Sequence, residues 1–312
     1  MDLPRLRPPA LSQGDTLGII APAGPIENRD AFERGITSIE RLGFSVRYND
    51  RIFESRRYLA GDDPARAEEL MRHFEDPGVR GVLSLRGGYG SSRLISLLDE
   101  KRLRSHCKLF MGFSDLTTLH LFFRRRFGWI TLHGPMMTSP ALANLNSEEE
   151  GHLLSLWTDP GYRPRYSSPQ LEVWHPGIAE GRLVGGCLSV VVASLGTPYE
   201  IKTSGEILFI EDVEEPPYRV DRMLTQLQLA RKLEGVAGIL VGSFFECLPR
   251  TGSYTVDQVL REILEKFGVP VLAGFTAGHG PKNWPFPFGV RLRLDANRRE
   301  LEFLEAAVEP RR

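Results

Sequence analysis

A serine closing one apolar run, a histidine between two glycines and two acids closing another run are the residues here that could carry out acyl transfer. In Met111-Gly112-Phe113-Ser114-Asp115, the run Lys108 to Phe113 predicts a strand, and Leu116 to Arg126 a helix. A serine at such a turn can have its hydroxyl held out as a nucleophile, with the helix N-terminus facing a developing oxyanion. The same Ser-Asp pair also reads as an ordinary N-cap. The pattern GxSxG is not met, because Leu116 stands two positions after Ser114.

A nucleophilic serine needs a base, and the base needs an acid to orient it. Of the seven histidines, His279 stands apart in Ala277-Gly278-His279-Gly280-Pro281, a loop that could carry an imidazole to another domain's edge or simply pack. His73, His106 and His152 fall on helical or polar segments and read as surface residues; His120 reads as a core histidine; His133 and His175 lack context. Glu211 and Asp212 end the run Ile207 to Ile210. Strand alternation lets only one of them face a site, leaving the other to cap the helix that follows, unless both belong to a solvated acidic turn. Arg86-Gly87-Gly88-Tyr89-Gly90 follows the apolar run Val79 to Leu85. Its glycines suit a tight turn, or a backbone that approaches an anion or oxyanion. Neither GxGxxG nor GxxxxGK[ST] is present, which counts against a dinucleotide or P-loop site.

The elements that must position these residues alternate. Strands are expected over Asp15 to Ala21, Phe44 to Tyr48, Val79 to Leu85, Lys108 to Phe113 and Trp129 to His133. Helices are expected over Arg29 to Leu42, from Asp63-Pro64, from Ser91 to Asp99 and from Leu116 to Arg126. That alternation implies parallel βαβ units, hence a doubly wound α/β layer over residues 1–143. Residues 144–180, broken by Pro160, Pro164, Pro169 and Pro176, read as a linker or crossover. Residues 181–312 read as a smaller mixed α+β domain. Its expected helices cover Gly185 to Leu195, Pro217 to Leu233 and Val256 to Phe267, its short strands Glu206 to Ile210, Gly238 to Val241 and Val269 to Gly274, and its terminal hairpin Val290 to Phe303.

Composition narrows the class. The 312 residues suggest about two domains. With 39 basic against 40 acidic residues the formal charge is −1, which leaves no basic excess for nucleic acid. Cys107, Cys187 and Cys247 form no CxxC pair and read as buried small hydrophobes rather than a disulfide framework or zinc site. The segment Met1 to Arg5 lacks the apolar core of a signal peptide, and no apolar run is long enough for a membrane span. A cytoplasmic location is therefore expected.

With these segments in place the chain resembles the LD-carboxypeptidase family, which includes murein-tetrapeptide carboxypeptidases and microcin C immunity peptidases. The resemblance runs in order through Gly14 to Pro25, LRGGYGSSRL (Leu85 to Leu94), MGFSDLTTLH (Met111 to His120), Leu132 to Met137, Gly181 to Gly186, Ile207 to Leu227 and AGFTAGHGPKNWPFPFG (Ala273 to Gly289). It implies a serine peptidase with Ser114 as nucleophile, His279 as base and Glu211 as orienting acid, the active site at the interface of the two domains. It further implies an oxyanion hole at the N–H groups of Gly88 and Asp115, a homodimer, and neither metal nor cofactor. The expected substrate is a murein tetrapeptide losing its terminal D-alanine, whose free carboxylate calls for a cation; Arg86 is the candidate. Two other readings stay open: a peptidase of aminoacyl-nucleotide antibiotics, stacking the base on Trp174 or Trp284, and a non-catalytic ligand-binding protein. One departure is Cys187, which stands where an asparagine is expected after Gly185-Gly186.

Overall fold

The computed structural model describes residues 3–252 and 254–311; Met1 and Asp2 of the N-terminal segment lie outside them. The chain divides into two compact units. The first takes in the chain up to Tyr162, Trp284–Pro287 and the segment from Ala306 on; the second holds Arg163–Asn283 and Phe288–Glu305.

The first unit runs β1 (Thr16–Ile20), α1 (Arg29–Arg41), β2 (Ser45–Arg47), α2 (Asp63–Glu75), β3 (Gly81–Ser84), α3 (Glu100–Leu103), β4 (Leu109–Gly112), α4 (Thr117–Phe127), β5 (Thr131–His133), α5 (Pro140–Ala143) and α6 (Ser147–Thr158). Helix starts follow local chemistry: Asn28 accepts the N–H groups of Asp30 and Ala31, and Asn146 with Glu149 forms a capping box. The segment Ser91–Leu97, expected as an α-helix, is a 3-10 helix. Strands β2, β1, β3, β4 and β5 lie side by side in that order, and all four pairings are parallel. The order reverses between β1 and β3, as the doubly wound expectation requires. Both faces of β1, β3 and β4 are covered, so Leu17, Ile19, Leu83 and Leu109 are buried with Phe32 and Trp157 in one core. Each such side chain contributes about 1.5–3 kcal/mol through burial.

The second unit comprises β6 (Arg165–Ser167), β7 (Glu172–His175), β8 (Ile178–Cys187), α7 (Leu188–Ala193), β9 (Ile207–Val213), α8 (Pro217–Leu229), β10 (Gly238–Phe245), α9 (Val256–Leu264) and β11 (Val271–Ala273); β12 (Phe286–Phe288) joins the sheet of the first unit, and β13 (Arg291–Asp295) and β14 (Glu300–Phe303) return to the second. Its eight strands lie in the order β6-β14-β13-β8-β9-β10-β11-β7, parallel from β8 to β11 and antiparallel at both flanks. The sheet is mixed, in a unit whose sequence reads as mixed α+β. The four prolines of residues 144–180 fall between α6, β6, β7 and β8.

The sequence reading of Gly185 to Leu195 as one helix needs correction. Gly185 and Gly186 belong to β8 at φ of 137° and 136°, and only Leu188–Ala193 is helical. A Cβ on Gly185 would lie 1.8 Å from the carbonyl oxygen of Phe209, so glycine lets β8 press against β9. Cys187 and Cys247 are buried, but Cys107 is only half-buried.

Candidate active site

In the first unit, the carboxyl ends of β1 and β3, with β4 beside them, flank the point where strand order reverses, the place where such sheets bind ligands. Ser114 follows β4 with φ at +62° and opens a 3-10 turn, Ser114–Leu116, that continues into α4. A positive φ is a strained backbone for serine and not the extended conformation of an N-cap. Residues Phe113 and Leu116, which do flank these helices as caps, make no side-chain cap hydrogen bond. The turn is a strained strand-to-helix connection, the kind of backbone on which a nucleophile elbow is built.

The glycine loop lies against it. A Cβ on Gly87 would come within 2.9 Å of Ser114 Cβ and 3.0 Å of its Oγ, so any larger residue would displace the serine. Gly88 has φ at +98°, and the N–H of Gly24 donates to Gly87 O at 2.9 Å. Asp115 is buried; its Oδ2 accepts the N–H of Ser91 at 2.8 Å, and its backbone oxygen accepts the Ser91 hydroxyl at 2.7 Å. Burial pushes the Asp115 carboxyl up, against the opposing pull of the Ser91 hydrogen bonds. Arg86 donates from Nη1 to Pro25 O at 3.0 Å and pairs with the exposed carboxylate of Glu27.

In the second unit, Glu211 comes from β9 and is fully buried. Its Oε2 accepts two hydrogen bonds from His279, one from the backbone N–H at 3.0 Å and one from Nδ1 at 2.7 Å. That contact assigns the proton to Nδ1 and fixes the ring's orientation. Burial works against the imidazolium, but the charge and hydrogen bond of Glu211 outweigh it, so the His279 pKa is raised. Gly278, at φ of +109°, is obligatory: its Cβ would lie 2.5 Å from Glu211 Oε2.

Asp212 departs from its expected role. It does not cap α8, whose N-cap is Pro216, but accepts the N–H of Ser189 at 2.8 Å in the first turn of α7. Alternation along β9 sends its side chain to the face opposite Glu211, toward β8 and α7. Burial and the neighbouring charge of Glu211 push its carboxyl up to about 6. Cys187, in place of the expected asparagine, donates from Sγ to Asp212 Oδ1 at 3.4 Å and lies 3.3 Å from Ser189 Oγ. The thiol thus joins a hydrogen-bonded group around a carboxylate adjacent in sequence to Glu211.

Two supporting residues escaped the sequence reading. Asn283 is buried and accepts the N–H of Gly278 at 2.9 Å, which fixes the loop carrying His279. Ser91 ties the glycine loop to Asp115. Neither stands out by type; only the short spacing of Asn283 from Gly278-His279 hinted at a loop clamp. His152, expected at the surface, is buried: its ring stacks on Trp284 at 4.0 Å, Nε2 donates to Pro285 O at 2.7 Å, and Nδ1 accepts from the Tyr162 hydroxyl at 2.9 Å. Trp174 is buried too, its Nε1 donating to Glu172 at 3.1 Å. His120, as expected, lies in the core, where Nε2 donates to Gly112 O at 2.9 Å. Among the described residues no cluster of histidine, cysteine or acid side chains could hold a metal ion, and no helix is long and apolar enough to cross a membrane.

The chain is similar to known proteins over most of its length. Residues 17–134 match the model of the LD-carboxypeptidase N-terminal domain, and residues 180–294 that of its C-terminal domain. A probable murein peptide carboxypeptidase of Bacillus subtilis is 38% identical, covering 93% of this chain and 91% of its own length. The crystal structure of a muramoyltetrapeptide carboxypeptidase from Oxalobacter formigenes superimposes with a TM-score of 0.80 at 28% identity, over 95% of this chain and all of that one. A structure of MccF in complex with glutamyl sulfamoyl guanosine superimposes with a TM-score of 0.89 at 25% identity, over 97% of this chain and all of that one.

Proposed function

We propose that this chain, which belongs to the LD-carboxypeptidase family and is a hydrolase of the serine carboxypeptidase type, releases the terminal D-alanine of murein tetrapeptides. The observation that carries the reading is the 2.7 Å hydrogen bond from His279 Nδ1 to a fully buried Glu211 carboxylate. It leaves Nε2 as the nitrogen that exchanges protons with a nucleophile. In the proposed reaction Ser114 Oγ attacks the scissile carbonyl and its proton passes to His279 Nε2. The N–H groups of Gly88 and Asp115 stabilise the tetrahedral oxyanion. Collapse expels D-alanine, whose amine takes the proton from His279, and leaves an ester on Ser114. Water attacks that ester with His279 again as base, releasing the tripeptide acid and restoring the serine. The setting we assign is the cytoplasm, in peptidoglycan recycling, with a homodimer as the working form and neither metal nor cofactor required.

The kinship with MccF supports a second substrate class, aminoacyl nucleotides. Against it, the two tryptophans that could have stacked on a base are both engaged, Trp284 on His152 and Trp174 in its buried site. Mass spectrometry of L-Ala-γ-D-Glu-meso-diaminopimelate-D-Ala and of an aminoacyl sulfamoyl nucleotide, each incubated with the protein, separates the readings. Loss of one alanine from the tetrapeptide with the nucleotide intact is the expected result. The reverse pattern assigns the chain to antibiotic detoxification, and turnover of neither removes murein recycling.

Arg86 is the group we assign to the substrate's terminal carboxylate, because a carboxylate, that of Glu27, already sits on its guanidinium. Arg86→Met is expected to raise KM about tenfold while kcat stays within about threefold, the signature of lost ground-state binding. A tetrapeptide ending in D-alanine amide should show no difference between wild type and variant. An equal KM effect on the amide refutes the assignment.

A further inference from the structure

The glycine loop and the Ser114 turn belong to different βα connections, and the side chain that ties the glycine loop in place is a cation with no exposed surface. Arg66 of α2 is 0% exposed. Its Nη1 donates to Pro22 O in the loop after β1 and to Gly90 O in the glycine loop, the latter at 3.1 Å. Its Nη2 donates to Asp63, which also accepts Nη2 of Arg93 at 2.5 Å and Nε at 2.8 Å. A Cβ on Gly90 would lie 2.9 Å from Arg66 Nη1, so the backbone approaches the guanidinium as closely as glycine permits. The next residue, Ser91, makes the two hydrogen bonds to Asp115. A continuous path therefore leads from Arg66 through Gly90 and Ser91 to the residue after Ser114.

Burying a guanidinium is costly, and an apolar side chain of similar volume often gives equal or greater stability. An apolar residue would, however, leave Pro22 O and Gly90 O without this donor. We propose that Arg66 is a positioning residue for catalysis: by clamping Pro22 O and Gly90 O, oriented by Asp63, it fixes the glycine loop so that the N–H groups of Gly88 and Asp115 meet the same oxyanion. The proposal rests on the reading of Ser114 as nucleophile. In this role Arg66 acts through the loop.

The test compares wild type with Arg66→Lys and Asp63→Asn. Lysine keeps the charge but loses the planar fork that spans two carbonyls and a carboxylate. Asparagine removes the charge that orients the fork, at a position that is itself partly exposed. Both variants are expected to lose about 10²-fold in kcat with KM within about threefold, as a misplaced oxyanion donor does. Labelling of Ser114 by a fluorophosphonate should slow by a similar factor, because phosphonylation also builds charge in the oxyanion hole. Should Arg66→Lys fail to fold, Asp63→Asn decides alone. Wild-type kcat in a folded variant, or a rise in KM at constant kcat, overturns the role of Arg66 while wild-type labelling of Ser114 stands. A wild-type protein whose Ser114 takes up no phosphonate overturns the nucleophile reading itself, and the role of Arg66 with it.

Discussion

Ser114→Ala is expected to lower kcat for D-alanine release by about 10⁶-fold, or about 8 kcal/mol of transition-state stabilisation. The size follows from the role: without the hydroxyl no acyl-enzyme forms, His279 has no serine proton to accept, and Glu211 has no imidazolium to stabilise. A residue of about 10³–10⁴-fold over the uncatalysed reaction should survive from the oxyanion donors and substrate binding. Alanine keeps the Cβ that packs on Gly87, so the turn is retained. Ser114→Gly supplies a second control, because glycine adopts a φ of +62° without strain and should gain rather than lose stability. Both variants should melt at or above the wild-type temperature, remain unlabelled by fluorophosphonate and release no D-alanine on the time scale of wild-type turnover. Turnover of Ser114→Ala within about a hundredfold of wild type would remove the serine from the chemistry.

The first unit was largely legible because its strands β1, β3, β4 and β5 are buried on both faces. Such strands read as unbroken apolar runs, and the intervening helices carry their own punctuation, as at Asp63-Pro64. The failures have the same physical source. Strands β6 and β7 are three and four residues long at sheet margins, with half-exposed patterns that carry no periodic signal. Gly185 and Gly186 broke the apolar run at the end of β8, and the valines after them hid a change from strand to helix. Nor does any local signal show that Trp284–Pro287 rejoins the first unit before the chain returns to the second, since His152 recruits that segment across 133 residues of sequence.

In the site, legibility followed residue type. A serine at a strand end, a histidine flanked by glycines and acids closing a strand are rare enough in context to be picked out singly, and Glu211 and His279 do meet in the fold. What sequence hid were the groups that hold them. Asn283, Ser91 and Arg66 are ordinary polar residues, and their importance lies in partners such as Gly90, reached by Arg66 across 24 residues. The division of roles between Glu211 and Asp212 was half visible: alternation separated them, but the helix that Asp212 serves is α7, which precedes it in the chain.

Glu211→Gln should cost on the order of 10⁴-fold in kcat, the scale of an orienting acid elsewhere in triads. The side chain keeps its shape, but both hydrogen bonds of His279 then meet a neutral amide. During acylation the imidazole must become a cation in a buried place, and Glu211 supplies the charge that stabilises it. The same charge sets the pH dependence. A general base works unprotonated, so kcat/KM should rise with pH through the His279 pKa, which Glu211 holds above the ordinary 6.5 against burial. In Glu211→Gln burial is opposed only by the charges of Asp212 and Glu214, so that acid limb should move to lower pH even as the plateau falls. Stability carries the opposite sign. A histidine whose folded pKa is raised contributes stability that is fully present below the unfolded value and is lost as pH rises through the folded one. The melting-temperature deficit of Glu211→Gln should therefore be larger near about pH 6 than near about pH 9. An acid limb that stays at its wild-type position, or a kcat within about tenfold of wild type, would show that Glu211 neither tunes nor orients the base.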